Sequence, residues 1–241
     1  MARTMTDTHP FISDEYQTYM LIVAHPDDSE FSAAGTVARL TEAGKRVIVI
    51  QVTSGDKGSP NPHDIPAELG KKREGEMLEA AKRLGIDEVV FLRCPDGELM
   101  PDIALREKFV RMIRTHQPDV VITHDPYRPY ALHADHRAVG LATTDAVYPT
   151  ARDPLYFPEH YASGLEPWKA AELWFFNPEK PDLIVDITDT FEQKLHALRA
   201  HHSQVGHSTG WEDRVRNRAK ELAEGHGVEL AEAFKVITMQ R

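Results

Sequence analysis

The stretch Ala24-His25-Pro26-Asp27-Asp28-Ser29-Glu30 follows directly on the apolar run Tyr19-Met20-Leu21-Ile22-Val23. A short apolar run of this kind is typical of a buried strand. The imidazole of His25 and the carboxylates of Asp27 and Asp28 stand within four residues at the end of that strand. Each of them can bind a metal or move a proton. The stretch therefore predicts one half of a polar site at the end of the first strand of a sheet.

Strands and helices alternate downstream of this stretch. Gly44 and Gly85 stop two of the intervening helices, at the position where a left-handed residue is preferred, and a third helix ends before Pro118. Such alternation predicts an α/β fold, a Rossmann-like three-layer sandwich with a mostly parallel central sheet. In the usual doubly wound order the first and fourth strands are neighbours, and ligands bind beyond their carboxyl ends. The predicted strands cover residues 19–24, 47–52, 88–92 and 120–124.

The second half of the chain is less regular. The segment 148–168 contains several aromatic residues among its prolines, and a structured loop of this length is typical of a lid, a binding wall or a subunit contact. We expect residues 1–17 to form a loose N-terminal arm and residues 18–241 to form a single domain. The other predicted elements are helices at 134–147, 189–202 and 212–224, strands at 172–176 and 183–187, and a last strand or irregular segment within 229–238.

The composition excludes several classes of protein. The net charge of −10 argues against a nucleic-acid-binding surface, because such affinity comes from Lys and Arg neutralising phosphates. Cys94 is the only cysteine, so no intrachain disulfide forms, which fits a reducing cytosol. The N-terminus lacks the apolar core of a signal peptide, and no apolar run approaches the ~20 residues that span a bilayer. We therefore expect a cytoplasmic protein without nucleic-acid or membrane partners.

A second polar cluster, His133-Ala134-Asp135-His136, follows the fourth predicted strand. Because the carboxyl ends of neighbouring parallel strands meet at one edge of the sheet, we expect the two clusters to face each other. His25 and Asp28 are three residues apart in a turn, so both can point at one position. His133 and His136 have the same spacing and share a face if the chain is helical from residue 134.

These residue types suit a catalytic metal. Imidazole and carboxylate are good ligands for zinc or ferrous iron, and three protein ligands with an open position are typical of a catalytic site. A bound metal lowers the pKa of water from about 15.7 to about 7. A carboxylate beside the metal can then act as general base, and a remaining histidine can stabilise an oxyanion or protonate a leaving amine.

Each residue alone also has an ordinary interpretation. Asp27 or Asp28 could cap the helix that follows. His136 could be an unremarkable helix residue, and Asp135 could be a cap or the partner of a ligating histidine. The two clusters together favour a functional site, because chance gives no reason for both of them at neighbouring strand ends.

At these residues the chain resembles the LmbE-like, or PIG-L, deacetylases, which are metal-dependent enzymes that remove N-acyl groups, mostly acetyl, from amino sugars and related conjugates. The family motif Ala-His-Pro-Asp-Asp-x-Glu stands as Ala24 to Glu30, and His-x-Asp-His stands as His133 to His136. The resemblance continues along nearly the whole chain. Its further motifs are Thr53-x-Gly55-x-x-Gly58, Arg73 with Glu76, Asp96-Gly97, Asp186-Ile187 and Lys194-x-x-Ala197-Leu198-x-x-His201-x-Ser203-Gln204.

The resemblance implies roles for individual residues. His25, Asp28 and His136 correspond to the metal ligands, with zinc as the expected ion and ferrous iron as an alternative. Asp27 corresponds to the general base and His133 to the residue that stabilises the tetrahedral intermediate and can protonate the leaving amine.

Other roles concern the surroundings of the metal. The resemblance implies that Asp135 is a partner of His133 or His136, and that Arg73 and Asp96 contact the substrate. Some members carry a tyrosine two residues before the first histidine of the second motif, where this chain has Ala131. Tyr130, or Tyr127, could substitute for it.

The sequence thus predicts a metal-dependent hydrolase of an N-acetylated (N-acylated) amino sugar or small conjugate, within one LmbE-like catalytic domain and with possible homo-oligomers. One alternative is a metalloamidase that cleaves a thiol-sugar conjugate. The alternative from another class is a non-catalytic sugar- or nucleotide-binding module. A dinucleotide site needs Gly-x-Gly-x-x-Gly after the first strand, and this chain places carboxylates there, which argues against nucleotides.

Overall fold

Eight strands and eight helices follow one another along the described residues, 3–5 and 14–239, of the computed structural model. The strands are β1 (Arg3–Met5), β2 (Thr18–Val23), β3 (Arg46–Thr53), β4 (Glu88–Cys94), β5 (Val120–His124), β6 (Glu172–Phe176), β7 (Leu183–Asp186) and β8 (Ala231–Thr238). The helices are α1 (Asp28–Glu42), α2 (Pro66–Leu84), α3 (Ile103–His116), α4 (Ala134–Asp145), α5 (Pro158–Ala162), α6 (Phe191–Leu198), α7 (His202–Val205) and α8 (Trp211–Ala223).

All strands belong to one sheet, in the order β1-β7-β8-β6-β5-β2-β3-β4. Tyr19 of β2 pairs in parallel with Val47 of β3 on one side and with Val120 of β5 on the other. The chain winds from β2 through β3 to β4 in one direction and from β5 to β6 in the other, so the switch point lies between β2 and β5. The predicted neighbourhood of the first and fourth strands is confirmed. Among the strands in the described part of the chain, β8 alone runs antiparallel to its neighbours.

The centre of the sheet is buried on both faces. Along β2, Tyr19, Leu21 and Val23 pack into the core on one face, while Met20 and Ile22 pack into the core on the other. A strand that is buried on both faces has a continuous run of apolar residues in its sequence, and residues 19–23 form such a run. The burial fixes β2 in the middle of the sheet and fixes the position of the turn that follows it.

Several boundaries differ from the sequence prediction. The helix predicted at 189–202 is observed as α6, which ends at Leu198, and α7 begins only at His202. The helix predicted at 134–147 ends at Asp145, and the stretch Ala146–Thr150 that follows is kinked at Tyr148, whose backbone is extended. Residues 3–5, within the expected N-terminal arm, pair in parallel with β7, whereas residues 6–13 lie outside the described residues. Among the helices that the structure describes, none is both long and apolar enough to cross a membrane.

The aromatic segment 148–168 is anchored to α3 by one buried arginine. The guanidinium of Arg114 donates to the carbonyl oxygens of Thr150 and Ala151 at 3.0 and 3.1 Å. It also donates to the carbonyls of Asp153 and Tyr156, both at 3.1 Å. These hydrogen bonds hold the first half of the segment in one conformation, which favours a fixed wall over a mobile lid.

Candidate active site

The turn after β2 carries the first half of the site. Asp27 has a left-handed backbone, with φ of 112°, which costs a non-glycine residue on the order of 1–3 kcal/mol and is typical of functional positions. Asp27 stands at the N-cap position of α1, but its side chain makes no capping hydrogen bond. The next side chain turns back, and Asp28 Oδ2 accepts from the amide of His25 at 2.7 Å. The capping interpretation of Asp27 therefore does not describe this turn.

The second half of the site lies at the start of α4. His133 occupies the N-cap position, and its ring stacks on that of His136 at a centroid distance of 4.4 Å. A Cβ atom on Gly140, one turn further along, would lie 2.6 Å from the carbonyl oxygen of His124. Glycine at this position thus lets α4 approach the end of β5 closely, which brings His136 over the edge of the sheet.

Three side chains from the two halves converge on one point. His25 Nδ1 lies 3.2 Å from His136 Nε2 and 3.4 Å from Asp28 Oδ2, and His136 Nε2 lies 3.1 Å from Asp28 Oδ1. For ligand bonds of about 2.0–2.1 Å to zinc, the edge of a tetrahedron is about 3.3–3.4 Å. The donor set and its spacing therefore fit a tetrahedral metal ion with one open position.

The opposite nitrogen of His25 faces two carboxylates. Nε2 lies 3.1 Å from Asp96 Oδ1 and 3.2 Å from Asp135 Oδ2. Asp135 is fully buried and also accepts from the amides of Gly97 and Leu99. A carboxylate on the second nitrogen of a ligating histidine fixes the tautomer and the orientation of the ring. We expected Asp135 to pair with His133 or His136, and the structure pairs it with His25 instead.

The electrostatic environment favours positive charge at this point. Burial alone lowers the pKa of His25, but hydrogen bonds to Asp28 and Asp96 outweigh it and raise the pKa to about 10. Burial opposes ionisation of Asp28, yet His124, His136 and His25 hold the pKa of its carboxyl well below the usual range. An ionised carboxylate among imidazoles is an environment that a divalent cation would stabilise.

Asp27 lies beside this cluster in a different environment. Burial and the neighbouring charge of Asp28 raise the pKa of Asp27 to about 7, and the guanidinium of Arg73, 3.5 Å from Oδ2, acts in the opposite direction. A carboxyl group with a pKa near neutrality can both accept and return a proton at the working pH. Next to it, the fully buried pair of Glu30 and His201, 3.2 Å apart, ties α1 to α7.

His133 borders the cluster from the solvent side. Its ring centroid lies 4.6 Å from that of His25. Burial and the neighbouring imidazoles His136 and His25 lower the pKa of His133, which favours the neutral ring. A neutral imidazole at this position can donate a hydrogen bond to a group that binds at the open side of the cluster.

The residues predicted to contact the substrate occupy three different environments. Arg73 is 3% exposed and donates to the carbonyls of Gly55 and Pro26, and a Cβ atom on Gly55 would lie 2.4 Å from its Nη1. A substrate would reach this guanidinium only if the glycine turn moved. Asp96 is buried and accepts from the amide of Lys57 at 2.8 Å, in addition to its contact with His25. Tyr130 is 94% exposed. The substrate contacts of these residues stay predictions.

The structure adds one residue that the sequence analysis did not single out. His124, the last residue of β5, is buried, and its Nε2 lies 3.3 Å from Asp28 Oδ2. Its ring stacks on that of His136 at a centroid distance of 4.1 Å. The available signal was a polar residue that ends a buried strand at the predicted binding edge.

Comparisons with known proteins agree with this geometry. Residues 20–147, more than half of the chain, match the PIG-L family model, described as GlcNAc-PI de-N-acetylase. A diacetylchitobiose deacetylase from Thermococcus kodakarensis is 30% identical over 226 residues, which cover 93% of this chain and 84% of that protein. A 1D-myo-inositol 2-acetamido-2-deoxy-alpha-D-glucopyranoside deacetylase from Kineococcus radiotolerans is 26% identical, with 80% of this chain and 70% of that protein covered.

A solved structure has the same fold over nearly the whole chain. The N,N'-diacetylchitobiose deacetylase from Pyrococcus horikoshii, determined with an inhibitor, superposes with a TM-score of 0.89 at 31% identity. The match covers 93% of this chain and 85% of that chain. Together with the family match and the relatives, this similarity establishes that the chain belongs to the PIG-L (LmbE-like) family of deacetylases.

Proposed function

We propose that the protein is a metal-dependent N-deacetylase that removes the acetyl group from an N-acetylated amino sugar or a small conjugate of one. The observation that carries the proposal is the convergence of His25 Nδ1, Asp28 and His136 Nε2 within 3.1–3.4 Å of one another, with the carboxyl group of Asp27 beside them. Relatives named for acting on diacetylchitobiose and on an inositol conjugate of acetylated glucosamine support this substrate class.

The metal would be held by His25, Asp28 and His136. Two imidazoles and one carboxylate suit zinc, and they also suit ferrous iron. When bound, such an ion makes hydroxide available near neutral pH and polarises the amide carbonyl. Asp135 and Asp96 would hold the ring of His25 in the orientation that directs Nδ1 to the ion, because both carboxylates face Nε2.

Asp27 would carry the proton during the reaction. Its carboxylate takes a proton from the attacking water and, after the amide carbon has become tetrahedral, returns it to the leaving amine. Both directions require a pKa near the working pH, and burial together with Asp28 raises the pKa of Asp27 to about 7. The carboxylate of Asp27 lies 3.5 Å from the guanidinium of Arg73, whereas that of Asp28 faces the imidazoles of His25 and His136.

His133 would stabilise the tetrahedral intermediate. Its lowered pKa favours a neutral ring, which donates one hydrogen bond to the oxyanion without holding a charge before the reaction. Asp96 and Tyr130 remain candidates for substrate contacts, and Arg73 would act on the substrate only after movement of the Gly55 turn. The single catalytic domain over residues 18–241, zinc as the native metal and self-association into homo-oligomers are part of the same proposal.

The test is an amine-release screen with metal-stripped protein that has been reconstituted separately with Zn²⁺ and Fe²⁺. The panel contains N-acetylglucosamine, N,N'-diacetylchitobiose and the inositol conjugate of N-acetylglucosamine, each beside its deacetylated form as a blank. We expect metal-dependent release of one amine per acetate from at least one sugar, and a release that is roughly 10²–10⁴-fold slower in the Asp27→Asn variant. Saturable sugar binding without turnover by any metal form would favour the non-catalytic binding module.

A second panel tests the runner-up reaction. A thiol-sugar conjugate with an amide bond at another position is offered to the same metal forms. Release of an amine from this conjugate alone, with every N-acetyl sugar unchanged, would replace the proposed deacetylase with a metalloamidase.

A further inference from the structure

His124 lies between the two halves of the candidate metal site. It ends β5, directly beside the end of β2, and it is 5% exposed. One face of its ring lies against the ring of His136, with an interplanar angle of 19°. The ring of Phe176, at the end of β6, meets it edge-on at a centroid distance of 4.7 Å. Packing against His136, which belongs to the motif His133 to His136, and against Phe176 therefore holds the imidazole of His124 in place.

The Nε2 atom of the same ring reaches the first motif. It accepts from the amide of Ala24 at 3.2 Å, and it lies 3.3 Å from Asp28 Oδ2. Ala24 immediately precedes His25, so this contact fixes the backbone from which the His25 ligand projects. The same oxygen, Asp28 Oδ2, also accepts a hydrogen bond from the backbone amide of His25, while Asp28 Oδ1 faces His136.

The buried side chain of His124 therefore contacts each proposed ligand or the residue next to it. It contacts the residue before His25, the carboxylate of Asp28 and the ring of His136. We propose that His124 is a positioning residue for the metal site, which locks the turn after β2 to α4 so that the side chains of His25, Asp28 and His136 keep contact distances of 3.1–3.4 Å. This inference rests on the metal site of the proposed function. Asp28, His124 and His136 also form a group whose donor atoms lie close enough together to hold a metal. The proposal assigns Nε2 of His124 to the amide of Ala24 instead of to the metal.

Two variants distinguish a role of His124 in positioning the metal ligands from a role in filling space beside His136. His124→Phe keeps an aromatic ring for stacking but loses Nε2, whereas His124→Gln keeps a polar group and loses the stacking. The removal of groups that orient metal ligands typically weakens metal binding about 10- to 100-fold. We expect weakening in that range for His124→Phe. A residue that only filled the space beside His136 would leave metal affinity unchanged in this variant.

The experiment measures Zn²⁺ affinity by competition with a chelator, together with the electronic spectrum of the Co²⁺ form and the melting temperature of the apoprotein. His116→Phe is the matched control, because His116 is a half-buried histidine at the end of α3, away from the cluster. We expect weaker Zn²⁺ binding and a changed Co²⁺ spectrum for His124→Phe, and wild-type values for the control. Wild-type affinity and spectrum in His124→Phe would overturn the proposal.

A measurement on the unaltered protein covers the case in which both variants fail to fold. In ¹¹³Cd-loaded protein with ¹⁵N-labelled histidine, we expect scalar coupling from the metal to His25 and His136 and none to His124. Coupling to His124 would make it a ligand and overturn the positioning role. A wild-type protein that binds no metal would refute the proposed function itself. Wild-type metal binding with an unaffected His124→Phe variant would refute the positioning role alone.

Discussion

His25 Nδ1 and His136 Nε2 lie 3.2 Å apart, although 111 residues separate them in the chain. The order of the strands produces this contact, because β5 pairs directly with β2 and both end at the same edge of the sheet. The chain reverses its winding direction at this position, and such a switch point leaves room for a ligand beyond the strand ends. The candidate metal site is therefore a consequence of the sheet topology as much as of the two motifs.

Removal of one proposed ligand tests the metal site. His136→Ala should lower the bound metal to substoichiometric amounts, since only His25 and Asp28 would remain of the three converging side chains. Elemental analysis of the purified variant after dialysis measures this. His63→Ala is the control, because His63 is an exposed histidine in the loop before α2 and its loss should leave the metal content unchanged. Full occupancy in His136→Ala would remove His136 from the ligand set.

Asp27→Asn tests the proposed base without a change of volume. The amide cannot accept the proton of the attacking water, so kcat should fall by roughly 10²–10⁴-fold. The metal content should stay at the wild-type value, because Asp27 does not belong to the converging triad. Initial rates on the best substrate and elemental analysis of the same sample provide the two readings. Near-normal turnover with metal bound would show that another group acts as base.

His133→Ala tests the proposed stabilisation of the oxyanion. The loss of one such hydrogen-bond donor typically costs about 10²–10³-fold in kcat. We expect a decrease in that range with retained metal, and a smaller change in KM, because the donated hydrogen bond strengthens only as the oxyanion forms. An unchanged kcat would exclude His133 from the mechanism. A loss of metal would instead make it a ligand.

The pH dependence of kcat/KM tests the environment of Asp27. The reactive form of Asp27 is the carboxylate, so activity should be present above its pKa and should be lost as the pH falls through it. Arg73 lowers this pKa by its positive charge. Arg73→Gln should therefore move the acidic limb of the profile to higher pH, whereas Arg73→Lys, which keeps the charge, should leave it close to its wild-type position. Coincident limbs in all three proteins would contradict the electrostatic role of Arg73.

The pairing of β2 with β5 and the convergence of the two motifs could be predicted from the sequence, because both follow from general rules. A buried apolar run forms a central strand, and side chains after neighbouring parallel strands meet at one edge. The actual bounds of β5 and β6 are those predicted, and α3 ends before Pro118 as predicted.

The contacts made through turns could not be predicted in the same way. Asp135 faces His25 because the backbone amides of Gly97 and Leu99, in the turn after β4, donate to its carboxylate. The hydrophobic periodicity of the sequence does not predict the position of that turn. Arg73 occupies a helix position that suits a solvated charge, yet it is buried under the turn that contains Gly55. In the sequence, His124 is simply the last residue of a predicted strand. Its contact with Asp28 depends on the three-dimensional placement of the carboxyl ends of β2 and β5 side by side.

Arg114→Met tests whether the segment after α4 is a fixed wall. The variant keeps an unbranched apolar side chain but leaves the carbonyls of Thr150, Ala151, Asp153 and Tyr156 without their shared donor. Hydrogen bonds from a buried charge are worth more than neutral ones, so we expect the free energy of unfolding to fall on the order of 3 kcal/mol. Limited proteolysis should then cut first within residues 150–157. Lys108→Ala, an exposed change on the same helix, should stay within about 0.5 kcal/mol of wild type. Equal stability and equal cleavage of Arg114→Met and Lys108→Ala would mean that the segment is held by its other contacts.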